Sequence, residues 1–262
     1  SDPEVPIFAR ALGVSVAQLL GAPSASRAGL FAFRADGADV HQSAARARVQ
    51  TLWEIEDRLA QRGAVTPAVP HSAVRGLTGL VERRFTRPET AGQARRQGRQ
   101  LAEEARRLLD LGSGPLGDLA SLMERLFGVD VVLAPVDGDI SGLCARDGDR
   151  VTVFANSACA RTHVRFTLAH ELGHHLFADP RPIIEESNSD LRGPGYQERR
   201  ASAFAAHLLM PRDGVETTLA WLDVTKADIA QMNAQGVVAI GYLMAEFGAS
   251  LPALAFQLAD LR

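Results

Sequence analysis

The chain has 262 residues, 46% apolar and 23% charged, with a formal net charge of −3. That length can build one large core or two modest ones, and the charge balance excludes nucleic-acid binding by bulk charge. No apolar run approaches the roughly 20 residues of a bilayer span and no leader pattern opens the chain. Two cysteines, Cys144 and Cys159, make no disulfide framework, so no membrane contact and a reducing cytoplasm are expected.

The chain starts Ser1-Asp2-Pro3 without Met, as a trimmed product would, and only Lys226 among its 28 basic residues is lysine, a bias of GC-rich bacterial genomes. Residues 5–20 read as two short helices around Gly13, the second capped by Ser15, with Phe8, Leu12, Val16, Leu19 and Leu20 apolar. Residues 21–26 read as a linker. An amphipathic helix is predicted over 42–62, with Val49, Leu52, Trp53, Ile55 and Leu59 on its apolar face and Pro67 and Pro70 beyond it. Residues 71–95 give no clear pattern; their Arg83, Arg84 and Arg87 read as a solvated face.

From residue 96 the signals sharpen. Helices are predicted over 96–111 and 116–127, stopped by glycines. The β-branched run 129–134 reads as a strand. With 140–146 and 150–155 it makes a predicted three-stranded meander joined by Gly-containing turns. Val164, Leu168, Leu172 and Leu176 recur with helical period over 161–177, a polar loop fills 178–195, and 196–210 is again helical up to Pro211. Two or three more helices are expected after Asp213, broken near Gly236 and Gly248–Pro252. The expected fold class is α+β, mainly helical, with a small meander preceded by a helical region.

His170-Glu171-Leu172-Gly173-His174 lies inside the 161–177 helix. Histidines at i and i+4 stack on one helix face, so both imidazoles can hold one zinc ion, and Glu171 stands one step round where a carboxylate can act as base toward a water. Gly173 leaves room for a close neighbour. A catalytic zinc needs a third protein ligand, and the extended motif with a third His is absent, because Pro180 stands there. Glu198, on the next helix with the small Ser202 and Ala205 on its face, is the first choice; Glu185, Glu186 and Asp190 in the loop are its rivals. Ser202 is either an orienting partner of an imidazole or a packing residue. His175, His207, His163, Tyr196, Arg165 and Cys159 are weaker candidates, for which packing or surface roles are favoured.

Arg165-Phe-Thr-Leu-Ala-His-Glu-Leu-Gly-His174, then Glu198, then Phe204-Ala-Ala-His-Leu-Leu-Met-Pro211 resembles the ImmA/IrrE family of metallopeptidases. Ile140-Ser-Gly-Leu and Val153-Phe-Ala-Asn156 resemble the strands before that family's helix. The resemblance covers roughly 96–262 and implies a gluzincin-like fold whose zinc is held by His170, His174 and Glu198, with Glu171 catalytic. Ser202 departs from the family's usual Asn. Residues 5–20 are similar to the closing helices of an XRE-type helix-turn-helix domain. The implied organisation is 1–25 as a remnant of that domain, 26–95 as a helical linker and 96–262 as the peptidase. DNA reading would then belong to a longer parent and not to this chain. The family implies cleavage of an XRE-type repressor or antitoxin in stress, mobile-element or toxin–antitoxin circuits. An extended substrate would add to the edge of the 129–155 meander, at Val151–Ala155. The competing expectation is a transcription regulator whose peptidase-like domain senses a ligand or holds a dimer. Helices in 27–95 could also cover the cleft. The physiological metal, zinc or manganese, stays open.

Overall fold

The computed structural model describes residues 40–61, 72–138, 140–148, 150–179, 183–187 and 195–260. The expected helix-turn-helix remnant at 5–20, the linker at 21–26, Pro67, Pro70 and Asp190 lie outside these residues.

Helix α1, Val40–Gln61, follows the predicted amphipathic pattern. Helix α2, Ser72–Arg84, occupies the stretch whose pattern was unclear, and Arg83, Arg84 and Arg87 are all exposed. Helix α3, Ala91–Leu108, starts five residues before the expected position. Thr90 caps it, accepting from the Gln93 amide, a signal hidden by the arginine- and glycine-rich first turns. The expected boundary at residue 95 therefore falls inside α3. A short helix, α4, Leu119–Leu122, capped by Asp118, runs on through a wide turn at Met123–Phe127.

Strands β1 (Asp130–Ala134), β2 (Ile140–Asp147) and β3 (Arg150–Asn156) form where alternation places them. Their pairing corrects the expected meander. β2 and β3 form an antiparallel hairpin, but β1 pairs with β3 in parallel and not with β2. A fourth strand, β4 (Ile183–Ser187), lies in the stretch read as a loop and pairs antiparallel with β2, so the order is β1-β3-β2-β4. The edge addition expected at Val151–Ala155 is also corrected, because β3 is flanked on both sides.

Helices α5 (Arg161–Leu176) and α6 (Tyr196–Leu209) match the expected pair. The tail gives four helices: α7 (Arg212–Trp221), α8 (Lys226–Ala230), α9 (Ala234–Phe247) and α10 (Leu251–Asp260). The break expected near Gly236 falls at 231–233, and Gly236 itself lies in the first turn of α9, where its bare Cα lets the Asp228 carbonyl approach.

The sheet is covered on both faces. Alternation along β3 sends Val151, Val153 and Ala155 into the main core and Phe154 to the opposite side. There α1 lays Ala45, Val49 and Trp53 against Ile140, Leu143, Ala145 and Phe154. The Trp53 indole donates to Thr152 Oγ1 at 2.7 Å, which fixes the helix on the strand. Val74, Leu77 and Val81 bury α2 in the main core with α3, α5 and α6. α1 and α2, from the region read as a linker, thus pack directly on the sheet and the main core.

Two glycines set the helix spacing. A Cβ on Gly98 of α3 would stand 2.2 Å from the Arg200 carbonyl of α6. A Cβ on Gly173 of α5 would stand 3.0 Å from Phe204 Cδ1 and 3.3 Å from Ala201 Cα. Both helices therefore press on α6 at backbone distance. Among the described residues no single helix is long and apolar enough to cross a membrane.

Candidate metal centre

α5 carries His170, Glu171 and His174 in its buried middle, each at most 1% exposed. α6 presents Glu198 from its first turn, with 31% of its side chain exposed. The structure brings the two histidines and this glutamate together. His170 Nε2 lies 3.1 Å and His174 Nε2 3.2 Å from Glu198 Oε2, and the two Nε2 atoms are 3.0 Å apart. Among the described residues these three are the group able to hold a metal ion. Glu185 and Glu186, the loop rivals, belong to β4.

The outer ring nitrogens are also occupied. His174 Nδ1 faces Asp179 Oδ2 at 2.7 Å, and His170 Nδ1 faces Ser202 Oγ at 3.3 Å. Ser202 is thus the orienting partner the sequence left undecided. Asp179 accepts from the guanidinium of Arg200, which lies 4.3 Å over the Phe177 ring. A proton on His174 Nδ1 leaves its Nε2 lone pair facing the other two acceptors.

Three acceptor atoms this close repel one another unless a cation stands among them. A metal ion or a proton can be that cation. Burial lowers the His174 pKa, but hydrogen bonds to Asp179 and Glu198 outweigh it and raise the ring to about 9. Burial raises Glu198, and the bonds to His170 and His174 reverse this, leaving its carboxyl well below the usual range. Two imidazoles and one carboxylate are a donor set of catalytic zinc sites. Ligands at about 2.0–2.1 Å in a tetrahedron stand about 3.3–3.4 Å apart, close to the triangle present here. The residues fit zinc.

Glu171 is fully buried, and β2 comes close beside it at Gly142. A Cβ there would stand 2.3 Å from Thr167 Cγ2 and 3.6 Å from Glu171 Cγ. Beneath it, burial and then the Glu171 charge push the Cys144 thiol up to about 12, so this cysteine is inert.

The weaker candidates lie elsewhere. His163 Nε2 meets Ser141 Oγ at 2.8 Å on the β2 side. His175 is lowered to about 3 by burial and then by Arg146. His207 sits at the far end of α6, held by Asp260 at 3.1 Å and Gln257 at 3.1 Å, and serves the α6–α10 contact. Arg165 donates to the carbonyls of Leu116 and Gly117, and Tyr196 is 44% exposed. Cys159 lines a cavity with Leu168 and Arg165, residues on the face of α5 turned away from the triad.

Sequence reasoning missed Asp179, Arg200 and Gly142. Only Phe177-Ala178-Asp179, directly after the motif helix, offered a signal for the first: a helix end followed at once by a carboxylate.

No curated protein matches the chain. A family model described as Peptidase_M78, the IrrE N-terminal-like domain, matches residues 125–259. That span holds the sheet, both ligand helices and the tail, so the chain belongs to the IrrE N-terminal-like peptidase family, the ImmA/IrrE group its motifs resemble.

Proposed function

We propose that this chain is a cytosolic, regulatory, zinc-dependent endopeptidase that hydrolyses a peptide bond in a repressor or antitoxin protein. The convergence of His170, His174 and Glu198 within 3.2 Å of one another, with Glu171 between the histidines in sequence, carries the reading. His170 and His174 would hold the ion through Nε2, and Glu198 through its carboxylate. Bound zinc supplies Lewis acidity, polarising a carbonyl and making water reactive near neutral pH. Glu171 takes a proton from the attacking water on a carboxylate oxygen. It returns that proton to the amine nitrogen as the C–N bond breaks. The substrate enters where Glu198 meets solvent.

One observation favours the sensing alternative: a cavity of about 780 Å³ behind α5, lined by Leu133, Val164, Leu168 and Phe247, has the size of a small-ligand site. Glu171→Gln separates the two. The wild-type chain is expected to copurify with zinc and to cleave the XRE-type protein encoded nearest its gene. Glu171→Gln is expected to keep the zinc and lose activity by about 10²–10⁴-fold. A wild type without zinc, or a variant cleaving at the wild-type rate, would defeat the proposal.

A further inference from the structure

We infer that Asp179 and Arg200 form a buried brace that orients His174 as a ligand and fixes the spacing of the two helices carrying the metal site; this rests on the zinc reading above. α5 ends at Leu176, and the chain reverses through Ala178, whose φ is +51°. The Asp179 amide then donates back to the His174 carbonyl at 3.3 Å. The reversal places the Asp179 side chain under His174, where its two oxygens have different partners. Oδ2 accepts from His174 Nδ1 at 2.7 Å, and Oδ1 accepts from Arg200 Nη2. Arg200 lies two residues beyond Glu198 on the other ligand helix. A single carboxylate thus ties the outer nitrogen of one ligand to the backbone segment that delivers another.

The chemistry requires this partner set. A carboxylate fixes an imidazole with its proton on Nδ1, which leaves Nε2 as the lone-pair donor and makes it more basic. Asp179 is 5% exposed, and a carboxylate buried that far needs a paired partner. Arg200, 6% exposed, supplies the opposite charge, and its flat guanidinium stacks on Phe177 as an ammonium group would not. Among the described residues His170 has no such support: its Nδ1 meets the neutral Ser202 hydroxyl at 3.3 Å. His174 is therefore the firmly held ligand of the two. Asp179 and Arg200 are positioning residues and do not touch the substrate.

The test measures zinc dissociation constants of the full chain by chelator competition, with the absorption spectrum of the cobalt-loaded protein alongside. Asp179→Asn is expected to bind zinc about 10–100-fold more weakly than wild type and to shift the cobalt bands. Removing one half of a buried pair strands the other charge, so the double variant D179A/R200M, which removes both, is measured in parallel with the same expectation. It keeps the test decisive if Asp179→Asn does not fold. A brace that served only stability would lower the melting temperature of the metal-free chain and leave zinc affinity and cobalt bands at wild-type values, and that result would overturn the inference. A wild type that binds no zinc would instead sink the zinc reading itself, so the two failures are distinct.

Discussion

Gly98 is a position, at a distance from the metal, where a single added carbon should be damaging. An added Cβ would stand 2.2 Å from the Arg200 carbonyl oxygen, 2.7 Å from the Ala203 Cβ and 2.7 Å from the Phe204 amide nitrogen. Ordinary contact begins at 3.4 Å, so α3 must retreat by more than 1 Å from backbone atoms that cannot rotate aside. Alanine gains about 1 kcal/mol over glycine in helix propensity, while overpacking costs about 1–3 kcal/mol and occasionally more. With the clash on backbone the upper end applies, so Gly98→Ala is expected to destabilise by about 2 kcal/mol. For a chain of this size that is roughly a 4–8 °C fall in melting temperature. Gly173→Ala is the internal control. Its Cβ would meet Phe204 Cδ1 at 3.0 Å and Ala201 Cα at 3.3 Å, a misfit of tenths of an ångström that the propensity gain nearly offsets. Urea denaturation of both variants, metal-free, reads the difference directly. A Gly98→Ala midpoint equal to or above that of wild type, or a larger loss at Gly173 than at Gly98, would refute the spacing argument.

Three further expectations concern charge and backbone. His174 is raised from 6.5 to about 9 in the metal-free chain, so its stabilisation is complete below pH 6.5 and is lost as pH rises through about 9, a change of about 3 kcal/mol. The same proton competes with zinc, so zinc affinity should climb with pH up to about 9; an affinity flat from pH 7 to 9 would contradict the assignment. Glu56 is pushed up to about 7, first by burial and then by the Asp130 charge, against the opposing Arg150. A raised carboxyl loses stability as pH rises from 4.5 through about 7. Glu56→Gln should therefore gain about 1 kcal/mol above pH 7, discounted for its partial exposure, and nothing at pH 4, as paired melting curves would read. Ala178 holds φ at +51°, a conformation costing a residue with a Cβ about 1 kcal/mol. Ala178→Gly should raise the unfolding midpoint accordingly, and a lowered midpoint would count against strain there.

What the sequence disclosed divides along a physical line. Contacts set by local period were legible: His170 and His174 on one face, the three early strands, and the α5–α6 pair. Glu198 could be selected because a carboxylate on a small-residue face is hard to explain without a cation. Pairings between distant segments were not legible. Val129 to Ala134 reads identically whether it joins β2 or β3, because a strand's pattern records which faces are covered and not which neighbour it takes. β4 was hidden in a polar stretch whose partner lies about 40 residues earlier. The close approach of the Asp228 carbonyl to Gly236 was equally hidden, because that carbonyl belongs to another helix. Asp179 escaped because its importance depends on a turn at Ala178, where no glycine advertised the reversal.

The same distinction explains how the site is held. The i,i+4 geometry of α5 sets the two imidazoles relative to each other, but nothing local to either helix sets their distance from Glu198. That distance is fixed from two sides. Gly98 and Gly173, with Ala201 and Ala203 opposite, set how closely the helices can approach α6. The Asp179–Arg200 pair limits how far α6 can withdraw from the end of α5. With both bounds in place, Glu198 Oε2 lies within 3.2 Å of each ring nitrogen. Side chains held from both sides need little further ordering to take an ion, so more of the coordination energy remains as affinity. Loosening either bound should weaken metal binding before it unfolds the core, since the sheet and α1 are held by contacts of their own around Trp53, Leu143 and Phe154.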